Sequence, residues 1–124
     1  MVKRAPDPDD IDSYLPLPAS AMHIIVALAG GEKHGYAIMR DIEDLSGGSV
    51  TMGPGTLYGS LKRMIDQGLI EETDERPDPA LDDQRRRYYR LTVRGQRVGA
   101  AEQVRLAALL DAAQLRQLGL GGVT

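Results

Sequence analysis

The chain has 124 residues and a mass of 13.5 kDa, room for one hydrophobic core and little besides, which argues against a second, catalytic domain. It has no Cys, which removes disulfide frameworks, thiolate catalysis and cysteine-ligated metals, and with no Phe or Trp and five Tyr its core has to be aliphatic. A net charge of -3 speaks against a polyanionic partner only if it is evenly spread; residues 1–50 hold four basic and eight acidic side chains, whereas residues 84–97 hold six Arg and no carboxylate.

Residues 1–16 are rich in Pro and Asp and poor in apolar side chains, a composition that predicts a flexible tail. The stretch has no apolar leader pattern, and no segment of the chain is long and apolar enough to span a bilayer, so a cytoplasmic protein without membrane contact is expected. Leu17, Ala21, Ile24, Ile25 and Leu28 then recur at helical spacing, with Pro18 suited to a first turn and Gly30-Gly31 ending the run. Tyr36, Met39, Ile42 and Leu45 mark a second helix, opened by His34-Gly35 and closed by Ser46-Gly47-Gly48. Ser49–Met52 alternates and predicts a brief strand. Pro54 starts a third helix whose inward stripe is expected at Leu57, Leu61, Met64 and Ile65, with Gly68 as its cap.

Residues 69–73 and 86–92 read as two strands of a hairpin, with Tyr89 and Leu91 on one face and Tyr88 and Arg90 on the other. The connection between them is long, polar and interrupted by two prolines, and its tip carries Asp78, Asp82 and Asp83. Thr92 is a plausible N-cap for a last helix that ends near Leu118, before Gly119, Gly121 and Gly122; Gly95 and Gly99 weaken its first turns. The expected architecture is mainly α with a small antiparallel β wing: a tail over 1–16, a winged helix-turn-helix unit over 17–92, a C-terminal dimerisation helix over 93–118, and a second tail over 119–124.

On the third helix, the inward stripe leaves Thr56, Gly59, Ser60, Lys62 and Arg63 on or beside the outer face. Small residues, hydroxyls and cations are what a helix needs where its backbone approaches a major groove, although a solvated helix surface would look much the same. Arg85, Arg86, Arg87 and Arg90, interleaved with Tyr88 and Tyr89, lie where a duplex docked on that helix would pass, and shift the balance. Some of them can instead pair with Glu71, Glu72 or Asp74 across the hairpin, Arg87 and Arg90 more than Arg85 and Arg86.

The segments HGYAIMRDIEDL, GPGTLYGSLKRMIDQGLIEE and RRRYYRLTVRGQ together resemble the PadR family of bacterial transcriptional regulators, over residues 17 to about 115. The resemblance implies a winged unit that binds operator DNA, usually as a repressor, and dimerisation through the first and last helices. It places Thr56, Tyr58, Ser60, Lys62 and Arg63 in or near the DNA-reading helix, Tyr36 beside a backbone phosphate, and Tyr89 with Leu91 as the anchor of the wing. With Arg85, Arg86 and Tyr88 these residues form the expected DNA-binding set. The acidic wing tip departs from relatives with short basic wings, and the single C-terminal helix matches the shorter of the family's two types.

Leu106, Leu109, Leu110 and Ala113 recur at coiled-coil-like spacing with little core left to cover them, so they are expected in a homodimer interface, the alternative being that the last helix folds back on the first helix of its own chain; dimerisation through the first helix, as the resemblance implies, adds Leu17, Ile24 and Ile25. A two-fold dimer would read an inverted repeat with half-sites about 34 Å apart. Relatives respond to small aromatic molecules at the dimer interface, which makes an effector there a further expectation, though this chain has few aromatic walls to offer. Enzymatic activity is not expected. Gly53-Pro54-Gly55 lacks the Gly-Lys-Ser/Thr of a phosphate loop, His23 and His34 have no partner at catalytic spacing, and no cofactor or metal ligand set is present. A winged helix that binds protein rather than DNA is the competing reading, favoured by the net negative charge.

Overall fold

Apolar residues at positions 21, 24, 25, 27 and 28 leave α1 (Ala19–Ala29) little polar surface, and a helix apolar on most of its circumference has to be covered from several sides. In the computed structural model, which describes residues 6–73 and 87–118, it is the central element, contacted by helices α2 (Gly35–Leu45), α3 (Pro54–Asp66) and α4 (Val93–Leu115) and by a strand of the wing. Ile24, Ile25 and Leu28 meet Ile38 and Ile42 of α2, Leu57, Leu61 and Met64 of α3, Tyr89, and Val98 of α4 in one aliphatic core. Ile24 and Ile25 are 0% and 4% exposed. They are therefore core residues of the single chain and not, as expected, part of a surface for a second one.

Three strands form an antiparallel sheet in the order β1-β3-β2, where β1 is Lys33–His34, β2 Ile70–Thr73 and β3 Tyr88–Leu91. Ile70 faces Leu91 and Glu72 faces Tyr89; Lys33 pairs with Tyr89 and His34 with Tyr88. Strand β1 replaces the strand expected at Ser49–Met52. That segment is held as a turn by the Ser46 hydroxyl, which accepts the Val50 N–H at 3.0 Å, and by burial of Met52. His34 has two further roles: its Nδ1 accepts the Ala37 N–H at 3.2 Å as the N-cap of α2, and its ring meets Tyr88 edge-on at 5.5 Å.

Within the tail expected over 1–16, residues 6–16 are packed on the body. Ile11–Tyr14 form a 3-10 turn capped by Asp10, Tyr14 is buried, and Ile11, Leu15 and Leu17 pack on the core. A Pro- and Asp-rich stretch stays ordered because three apolar side chains and an aromatic ring find cover on the body, and because the buried Glu102 of α4 accepts the Leu17 N–H at 2.8 Å while pairing with Arg105.

Helix α3 ends in a left-handed Gly68 at φ 76°, with Gly68 N–H bonded to Ile65 O and Leu69 N–H to Met64 O, both at 2.9 Å. Thr92 then starts α4: its hydroxyl accepts the Gly95 N–H at 2.9 Å and donates to the Gly68 carbonyl at 2.6 Å. A side chain at position 95 would collide with the Leu69 carbonyl, and one at position 99 would lie 2.7 Å from Ile25 Cγ2. The two glycines that weaken α4 as an isolated helix are thus what lets it pass close to the Leu69 backbone between α3 and β2 and to α1.

Candidate nucleic-acid interface

Helix α3 begins at Gly53, which caps it without a side-chain bond, and at Pro54, whose missing N–H costs nothing in a first turn. Gly53, Pro54, Gly55 and Thr56 are all exposed, so the N-terminal turn is bare of large side chains and its backbone is open to a close approach. About two turns on, Lys62 and Arg63 are exposed on the same helix. Thr56, Lys62 and Arg63 therefore stand where the sequence placed them.

Ser60 and Tyr58 do not. The inward stripe is Leu57, Ser60, Leu61 and Met64, with Ser60 only 2% exposed and Ile65 partly out in solvent. At 100° per residue, positions 60 and 65 flank the stripe of 57, 61 and 64 about equally on opposite sides; Ser60 lies on the covered side, where the small Ser fits under Arg63, whose guanidinium donates to its hydroxyl at 3.2 Å. The Tyr58 ring turns to the start of α2, where its buried hydroxyl covers the spot a side chain at Gly35 would fill. Neither residue presents its polar group to a ligand on the outer face. Tyr36, 43% exposed in the first turn of α2, does lie at the surface.

The wing has two faces with different neighbours. Ile70, Glu72, Tyr89 and Leu91 share one by register, and Arg87, two residues before Tyr89, lies on the same side. There a hollow of about 300 Å³ opens between wing and helix, lined by Tyr58, Leu61, Lys62, Ile65, Glu72, Arg87 and Tyr89. Inside it Arg87 Nε lies 3.5 Å from a Glu72 carboxylate oxygen. Burial, with the Glu72 carboxylate adding to it, pushes the Tyr89 phenol up to about 12, so this ring stays neutral and anchors the wing.

Tyr88 and Arg90 point to the other face. Tyr88 rests against His34, and Arg90 Nε donates to Glu71 at 2.6 Å; Arg90, together with Leu91 from the first face, also lines a second hollow of about 700 Å³ whose other walls include Met22, Ile25, Val26, Gly99 and Ala100. The arginine-rich segment is thus divided between two surfaces: Arg87 joins Lys62, whereas Tyr88 and Arg90 are not brought to α3. Arg85, Arg86 and the acidic tip lie outside the described residues. The role of Arg87 was legible in principle, since it shares the parity of the apolar anchors Tyr89 and Leu91.

Of the residues expected at a dimer surface on α4, Leu109 and Leu110 are 58% and 69% exposed, while Leu106 and Ala113 are half-buried. Val104, Leu115 and Leu118 are also exposed. Among the described residues no three His, Cys, Asp or Glu side chains come together as a metal site, and no helix is long and apolar enough to cross a membrane.

Comparison with known proteins supplies a second line of argument. Residues 24–101 match the Transcriptional regulator PadR-like family, one of regulators rather than enzymes. A curated relative, an uncharacterized 37.1 kDa protein in transposon TN4556 of Streptomyces fradiae, is 44% identical over 55 residues, or 44% of this chain; the chain spans only 15% of that protein's length. Among solved structures, a PadR family transcription regulator from Clostridium difficile superposes with a TM-score of 0.68 at 24% identity, over 82% of this chain and 100% of that one. Bacillus subtilis PadR in complex with operator DNA superposes with a TM-score of 0.56 at 24% identity, over 66% of this chain and 45% of that one. These likenesses are to the winged-helix fold.

Proposed function

Because the chain belongs to the transcriptional regulator PadR-like family, we propose that it is a DNA-binding transcription regulator that acts as a homodimer and represses from an inverted-repeat operator. The observation that carries this reading is the outer face of α3, where an uncluttered N-terminal turn with Thr56 is followed by Lys62 and Arg63. The turn admits the helix to a major groove, the Thr hydroxyl and the cations supply donors for base edges and phosphates, and Arg87 and Tyr36 flank the approach. The relation to a PadR protein captured on its operator supports the same partner.

Dimerisation rests on the exposed leucines of α4, which a second copy of that helix would cover. A small-molecule effector enters the hollow between α1, β3 and α4, whose apolar walls are edged by Arg90, Gln96 and Gln103. The test is a titration of the full chain onto random and genome-selected duplexes by fluorescence anisotropy. Binding should weaken steeply with salt, and Lys62→Ala with Arg63→Ala should remove most of the preference for the selected sequence; salt-independent binding, or none, would overturn the reading.

A further inference from the structure

Glu71 and Glu72 are consecutive, both exposed, and both paired with an arginine, Arg90 of β3 and Arg87 just before it, yet they lie on opposite faces of the wing. Glu71 and Arg90 close to a 2.6 Å hydrogen bond beside the α1–α4 hollow. Glu72 and Arg87 stay at a looser 3.5 Å in the hollow that Lys62 also lines. A carboxylate paired with Arg87, in a hollow that Lys62 of the proposed DNA-reading helix also lines, stands where a backbone phosphate oxygen would stand.

We propose that Glu72 is an internal competitor for a phosphate subsite formed by Lys62 and Arg87, so that the wing cation is released to DNA only when a phosphate displaces the carboxylate. The proposal rests on the DNA-binding reading above. The Arg87–Glu72 pair is half-exposed and without the close geometry of a strong pair, so a phosphate on the duplex can exchange with it. The wing's contribution to any duplex, right or wrong in sequence, is thereby lowered, and discrimination falls to the base contacts of α3. Glu71, on the far face, has no such effect. Its pair faces a different hollow and does not border α3.

The experiment compares wild type, Glu72→Gln, Glu71→Gln and the double variant Glu72→Gln/Arg87→Ala, each as the full chain, on a random 25-base-pair duplex, with binding followed by fluorescence anisotropy from 50 to 200 mM NaCl. All three substituted positions are exposed, and circular dichroism checks that the fold is retained. Glu72→Gln should bind more tightly at 50 mM and steepen the salt dependence by about one counterion, so that it loses about threefold more affinity than wild type across that range. Glu71→Gln removes the same charge and should leave the slope of wild type, and Arg87→Ala should cancel the gain of Glu72→Gln. Equal effects of the two glutamates would show only long-range charge, and an unchanged slope in Glu72→Gln would end the proposal while leaving DNA binding intact. Wild type that shows no salt-dependent binding would overturn both.

Discussion

Single positions set three of the tolerances of this fold. A methyl group at position 95 has to displace the Leu69 carbonyl, which is backbone and cannot rotate away, so Gly95→Ala is expected to cost about 1–3 kcal/mol, read as a lower urea midpoint with an unchanged slope. Glu102 behaves differently because its effect depends on pH. Its bond from Arg105, and after that the Leu17 N–H, hold its carboxyl below the ordinary range against the opposing effect of burial. A carboxyl whose pKa is depressed by folding adds stability above its unfolded pKa, and that stability is lost as pH falls through the folded value. Glu102→Gln should therefore be less stable than wild type at pH 7, and the difference should shrink in acid. Tyr89 carries the opposite sign. With its phenol raised to about 12, its contribution is complete below the ordinary tyrosine value near 10 and is lost as pH rises through 12, so alkaline unfolding should begin earlier for wild type than for Tyr89→Phe. At this scale the sequence misleads where chemistry and angle disagree. Ile65 looks like core and Ser60 like surface, but both flank the buried stripe about equally, so what packs on each side decides, and a Ser is small enough to be buried under an arginine.

Whole elements were legible in proportion to their length and periodicity. The four helices carry repeated apolar positions and lie close to where the spacing puts them, with His34, Thr92 and Gly68 capping as their residue types suggest. Strand β1 has two residues and exists through pairing with β3, more than fifty positions away, and no local pattern announces that. The 3-10 turn at Ile11–Tyr14 is likewise held by contacts with α4, against a composition that reads as a tail. Helix α4 makes the clearest prediction at this scale. Its first half lies against the body, whereas Leu109, Leu110, Leu115 and Leu118 lie in solvent. Leu109→Asp with Leu110→Asp should leave the helix content and the fold of the winged unit intact but yield a monomer by sedimentation velocity, with operator affinity lower by an order of magnitude or more. A variant that stays dimeric would move the interface elsewhere.

For the molecule as a whole, the position of the junction between α3 and α4 matters more than the charge on either. One threonine hydroxyl, shared between the Gly68 carbonyl and the Gly95 N–H, joins the end of the helix proposed to read DNA to the start of the helix proposed to pair the subunits. In a two-fold assembly the protein then acts as a calliper whose opening is fixed at its pivot, not at its jaws. Operators that differ only in the length of the spacer between half-sites should be bound by wild type at one length. Thr92→Val, which keeps the shape of the pivot and removes both bonds, should accept neighbouring lengths as well.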